Sequence, residues 1–232
     1  MIERLRAAAD VRTSGIDPEE LRAHLRGQKP EHPELGREAM AFGLGSGDPD
    51  LVQEGRWWAA AAHYARARDE SLPARQRIAH ALDVVLLEGD NGFALRARLL
   101  AGELEMTDGD PDYAAEHLEA VYRRGDWVNE LPSVVSAAMG LANLRIKQGR
   151  YRDAAELYVQ ILTTVNPEEL PDAPARISYA YAMVELARLH QRAGRKDLHR
   201  QLIAQAAAYL VLEAIGRQVD GHPAPEVADG LD

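Results

Sequence analysis

Residues 151–165 carry the pattern that most limits what this chain can fold into. Apolar or small side chains stand at Tyr151, Ala154, Ala155, Tyr158, Ile161, Leu162 and Val165, the i, i+3, i+4, i+7 stripe of an amphipathic α-helix, and Asn166-Pro167 ends it. The same reading predicts helices near 2–11, 18–26, 33–42, 49–69, 72–88, 92–107, 111–124, 132–148, 151–165, 174–193 and 196–217. No sustained period-2 alternation of β-branched and aromatic residues marks a strand. The chain is therefore expected to be all-α, and short connections between long helices force antiparallel neighbours.

Punctuation supports the boundaries. "GDPD" occurs at 47–50 and again at 109–112. Each copy offers Asp as N-cap, Pro at the first helical position and a second Asp in the first turn, where a carboxylate complements the helix dipole. Gly89, Gly109, Gly125, Gly149 and Gly194 fall where helices should stop. The segment 218–232, "QVDGHPAPEVADGLD", lacks apolar periodicity and is expected to be a flexible acidic tail.

Composition narrows the function classes. The sequence has no cysteine, which removes disulfides, thiolate metal ligands and a thiol nucleophile together. The net charge of −10 disfavours nucleic acid as a partner, because such binding rests on Lys and Arg neutralising phosphates. The first residues, "MIERLRAAAD", have no apolar signal core, and the longest mainly apolar run, "AAAYLVLEAI" at 206–215, is too short to span a bilayer. A cytoplasmic protein with no membrane association is expected.

The interval around Gly149 resembles a tetratricopeptide repeat, a helix-turn-helix unit. Leu141-Ala142 stand on its first helix, Gly149 at the turn, and Tyr151, Ala154 and Tyr158 on its second. Gly102, Gly109, Ala114 and Leu118 occupy corresponding places upstream, and Leu186-Ala187 and Gly194 downstream. Small residues recur at 102, 142 and 187, a longer period than the family's usual unit, so the resemblance is to a divergent member. "GRWWAAAAHYARA" at 55–67 looks like "GRYRDAAELYVQIL" at 149–162, but treating both as second helices breaks the phase. Read as the end of a first helix, it supplies Trp57, Ala60-Ala61 and Tyr64, and the pairs become 49–69/72–88, 92–107/111–124, 132–148/151–165 and 174–193/196–217.

The resemblance implies a right-handed stack of antiparallel helix pairs, an α-solenoid, over 49–217. Residues 1–48 would form an N-terminal helical extension packed on the first pair through Met40 and Phe42. It further implies a protein-interaction scaffold or adaptor holding a peptide in a concave groove. Groove-facing positions would be Trp58, Arg66, Arg96, Glu103, Met139, Asn143, Lys147, Tyr181, Arg188 and Arg192. Asn143/Lys147 and Arg188/Arg192 are i, i+4 pairs on one helix face each. They suit an acidic segment or a free C-terminal carboxylate, which arginine holds by charge-assisted hydrogen bonds. Alternatives are a sensor module for a small ligand or signalling peptide, and a helical enzyme with a cavity between helices. The run 206–215, apolar nearly all round, wants cover, and a second copy of the chain is the expected cover.

Catalytic and metal chemistry find no seat in the sequence, and no catalytic residue, metal or cofactor is expected. "DGDPDYAAEHLE" at 108–119 spaces acids as a calcium loop does, but Tyr113 stands where glycine is needed, and a helix cap explains it. "GLGSGDP" at 43–49 follows no strand and lacks the Lys-Ser/Thr of a phosphate loop, so it reads as a flexible connection. No Gly-x-Ser-x-Gly elbow exists. None of the eight histidines has Glu three residues before it. His63, His80, His117, His190 and His199 are expected to be packed or exposed on helices, with His190 and His199 near each other across the Gly194 turn.

Overall fold

The structure, a computed structural model, describes residues 18–27, 29–89, 91–125, 130–169 and 173–219. The helix expected at 2–11 and almost all of the acidic tail lie outside them. The described residues form α1 (Pro18–Arg26), α2 (Pro33–Ser46), α3 (Pro49–Ala67), α4 (Ala74–Glu88), α5 (Gly92–Asp108), α6 (Pro111–Arg124), α7 (Leu131–Lys147), α8 (Tyr151–Thr164), a 3-10 turn (Pro167–Glu169), α9 (Ala173–Arg192) and α10 (Lys196–Val219). Among them there is no strand. Helices pack in chain order, α2 on α3, α3 on α4, α4 on α5, α5 on α6, α8 on α9 and α9 on α10. The chain divides into two compact units, residues 1–137 and 138–232, a boundary that falls within α7.

Both "GDPD" copies cap helices as expected. The Asp48 carboxylate accepts from the Leu51 backbone N–H at 3.0 Å with Pro49 at the first turn, and the Asp110 carboxylate accepts from the Asp112 N–H at 2.8 Å. Residues 108–119 are thus the end of α5, a cap and the start of α6. The turns after α7 and α9 are alike. Gly149 and Gly194 have φ of +74° and +76°, a conformation glycine adopts without strain. Arg150 N–H then bonds Arg145 O at 2.8 Å, and Arg195 N–H bonds His190 O at 2.9 Å, which satisfies carbonyls the helix end leaves open.

In the first unit α2 and α3 cross at unusually close range. A β-carbon built on Gly36 would lie 2.5 Å from both Ala59 N and Gly55 O, and one on Gly55 would lie 2.7 Å from Gly36 O. Only glycine lets these backbones touch. Gly43 belongs to the same seam, its added β-carbon 2.8 Å from Val52 N. The expected flexible connection at 43–49 is therefore corrected: Gly43–Ser46 are the last turn of α2, and Gly47 is its left-handed cap. On the far side of this seam Leu21, Leu25, Leu35, Leu51, Trp58 and Ala62 make one core, with Phe42 packed on it. A second core joins Ala60, Val84 and Ala97, with Tyr64 and Phe93 edge to face at 5.1 Å.

Helix α3 consequently buries two faces, and this turns the buried tryptophan by one residue. Trp58, expected to face a groove, is 3% exposed, and its indole N–H donates to Leu25 O at 3.2 Å. Trp57, expected to be the packed residue, is 57% exposed. Of the expected Ala60-Ala61 pair, Ala60 belongs to the second core and Ala61 is half-buried. Gly102, Ala142 and Ala187 are buried, and a β-carbon on Gly102 would press on Leu118 Cγ at 2.8 Å.

Candidate functional site

In the second unit an open cleft of about 740 Å³ runs between α8 and α9. One wall carries Tyr151, Ala155 and Val159 and the other Leu186, Leu189 and Ala193, with His190 and Arg195 beside them. Tyr151 and Val159 are 46% and 44% exposed, an apolar outlay that a helix face usually avoids unless it meets something. The stripe Tyr151, Ala155, Val159 is an i, i+4, i+8 row. The sequence expectation that Tyr151 is a packed residue is corrected here: its ring lies under the Arg192 guanidinium, 5.2 Å from its centroid, a cation–π contact.

The predicted partner-binding residues of this unit are positioned as follows. Tyr158, fully buried, donates its hydroxyl to the Asn143 amide oxygen at 2.9 Å, and burial pushes the phenol pKa far up. Asn143 is thus tied to the core between α7 and α8. Arg188 is paired with the buried carboxylate of Glu185, and Tyr181, itself 42% exposed, bonds the same carboxylate. Of Asn143, Lys147, Arg188 and Arg192, expected to hold an acidic segment, Lys147 and Arg192 are the cations without a carboxylate partner among the described residues. Met139 is half-buried.

In the first unit, Arg66 is half-buried, and Arg96 lies 5.9 Å over the Phe93 ring and 3.8 Å from Glu130. Glu103 is exposed, though crowding by neighbouring atoms raises its carboxyl pKa. A second cleft, about 690 Å³ and lined by Arg22, Arg26, Glu54 and Trp57, is electrostatically closed. Arg26 pairs with Glu54, and Arg22 makes two bonds to Asp48 at 2.7 and 2.6 Å.

The polar centre that sequence reading did not find lies on α2, α3 and α4. His63, 3% exposed, has Nδ1 3.0 Å from His80 Nδ1 and 3.3 Å from Asp83 Oδ2, and the Arg37 Nη2 sits 2.9 Å from its Nε2. Arginine only donates, so His63 Nε2 accepts and its proton is on Nδ1. The sequence signal was His80-x-x-Asp83, an i, i+3 pair on one helix face.

His190 and His199 are not joined. His199 Nδ1 donates to Ala187 O at 3.0 Å, whereas the buried Nδ1 of His190 has no hydrogen-bond partner among the described residues. The Nδ1 of His117 is in the same condition. Burial lowers both pKa values below the ordinary 6.5, and Arg195 near His190 and Arg98 near His117 add to the effect. A folded-state pKa below the unfolded one means the unfolded chain takes up protons first. Stability is then full above about pH 6.5 and falls as the pH drops through and below that value. Melting temperatures measured from pH 7.5 to 5.5 are expected to decline, and less steeply in His117→Phe; an equal slope in that variant would contradict the assignment.

Helix α10 contacts α9 along one side. Ile203, Ala207, Leu210 and Val211 share another side that is open, with Leu210 40% and Val211 56% exposed. No helix among the described residues is long and apolar enough to cross a membrane. No protein-family model matches the sequence, and no curated protein matches it.

Proposed function

We propose that this chain is a non-enzymatic helical scaffold, built of tetratricopeptide-like pairs, whose second unit holds a segment of another protein. The observation that carries the reading is the α8–α9 cleft: Tyr151 and Val159 left open to solvent on one wall, facing the largely buried Leu186 and Leu189 on the other, with Arg192 and Arg195 at one end. The occupant is an amphipathic segment that lays apolar side chains against Tyr151, Val159 and Leu186 and an acidic group or terminal carboxylate towards the arginines. The like turns at Gly149 and Gly194 support the pairing of α7 with α8 and α9 with α10. A solenoid over the whole of 49–217 is the architecture proposed to go with it, and a cytoplasmic location the proposed setting.

The test combines Val159→Glu with Arg192→Glu, two exposed positions. Wild-type chain immobilised in its native lysate is expected to retain a discrete partner, and a purified segment of that partner to bind in solution. The double variant keeps its helicity and weakens that binding by a factor of about 100, the loss of one anchor and one charge contact. Equal capture by both would remove the cleft from the account. The open stripe on α10 suits a second copy of the chain, and a monomer by light scattering at micromolar concentration counts against that part.

A further inference from the structure

We propose that His63, His80 and Asp83 form a binding site for one divalent transition-metal ion of the zinc class. Each residue offers a donor atom, and the three lie within 4.8 Å of one another. The two shorter separations, 3.0 and 3.3 Å, match the edge of about 3.3 Å that a tetrahedron has when its metal–ligand bonds are about 2.0–2.1 Å. In the metal-free chain the His63 Nδ1–H occupies this space, bonded to His80 Nδ1 with Asp83 beside it, and an ion would replace that one proton without moving the three donors far apart. The third edge closes by rotating the Asp83 side chain, which is 35% exposed and has room to turn.

The supports are stiff. His80 and Asp83 stand one turn apart on α4, and His63 is held from α3, with the α2–α3 glycine seam fixing the helix that carries it. Two neutral imidazoles and one carboxylate are borderline donors that suit zinc, cobalt and nickel better than magnesium or calcium. With three protein ligands, a fourth position is left on the solvent side of His80 and Asp83 for water or an exogenous ligand.

Arg37 makes this site conditional. A metal on His63 Nδ1 moves the imidazole proton to Nε2, which then faces the Arg37 guanidinium at 2.9 Å as donor against donor. Arg37, 53% exposed and 3.7 Å from Asp83, must swing away as the ion enters. Glu34, one turn before it on α2 and close enough to act electrostatically on both histidines, is placed to receive the new N–H. The cation on Arg37 and the metal therefore compete for one place beside Asp83 and His63.

The experiment uses the full, untagged chain freed of metal by a chelator and titrated calorimetrically with Zn²⁺, then with Co²⁺ followed by its visible absorption. One equivalent is expected, with the intense visible bands of four-coordinate cobalt. His80→Ala and Asp83→Asn, both at partly exposed positions, are expected to keep their helicity and to weaken Zn²⁺ binding by about 100-fold and about tenfold. Arg37→Ala is expected to bind several-fold more tightly than wild type. Absence of a one-to-one complex, unchanged affinity in His80→Ala and Asp83→Asn, or weaker binding in Arg37→Ala would each overturn the assignment.

Discussion

Gly36→Ala is expected to destabilise the first unit by about 3 kcal/mol, although alanine is the better helix former by about 1 kcal/mol. The added methyl carbon would sit 2.5 Å from two backbone atoms of α3, and backbone cannot turn aside as a side chain can. Relief requires the two helices to part, which opens the core of Leu21, Leu35, Leu51 and Trp58 behind them. The control lies in the same helix. Gly45 has nothing within 4 Å of its would-be β-carbon, so Gly45→Ala is expected to raise stability by about 0.5–1 kcal/mol. Urea unfolding of the two variants separates close approach from helix propensity, and a Gly36→Ala chain as stable as wild type would remove the seam from the fold's essential contacts.

The second large effect is expected at Trp58. Its side chain fills the core between α1, α2 and α3, so Trp58→Ala should cost about 4 kcal/mol through lost burial and the cavity left behind. That is a large part of the 5–15 kcal/mol by which domains are stable. Trp58→Phe keeps most of the volume but orphans the Leu25 carbonyl, a loss of about 1–2 kcal/mol. Had Trp58 lined a groove, as its position in the resemblance suggests, the alanine variant would unfold like wild type and lose only binding. Denaturant midpoints followed by circular dichroism distinguish the two outcomes.

The sequence displays the helices of this chain more clearly than their faces. Caps at Asp48 and Asp110 and the turns at Gly149 and Gly194 are local, made by residues within one turn of each other, and so they can be read without tertiary knowledge. The side of α3 that is buried depends on a neighbour. Gly36 and Gly43 look like helix breakers in a list of letters, and only against Gly55 and Ala59 do they become a seam. That seam covers α3 on one side while α4 and α5 cover the other, which rotates the buried face from Trp57 to Trp58. Tyr151 lies outside the core for the opposite reason: it belongs to an apolar stripe, but the stripe continues past the core to the cleft. Of the cluster, His80 and Asp83 are legible as an i, i+3 pair on one helix, but His63 comes from another helix, and no spacing within one helix can announce that third donor.

The scaffold reading rests on the second unit's open apolar cleft receiving a partner segment. Hydrogen–deuterium exchange of the chain, with and without the segment it captures, tests this most directly. Added protection is expected in 151–164 and 182–195, the two walls of the cleft, and none in α2 or α3. Protection confined to other helices, or no change anywhere at saturating segment, would contradict the account.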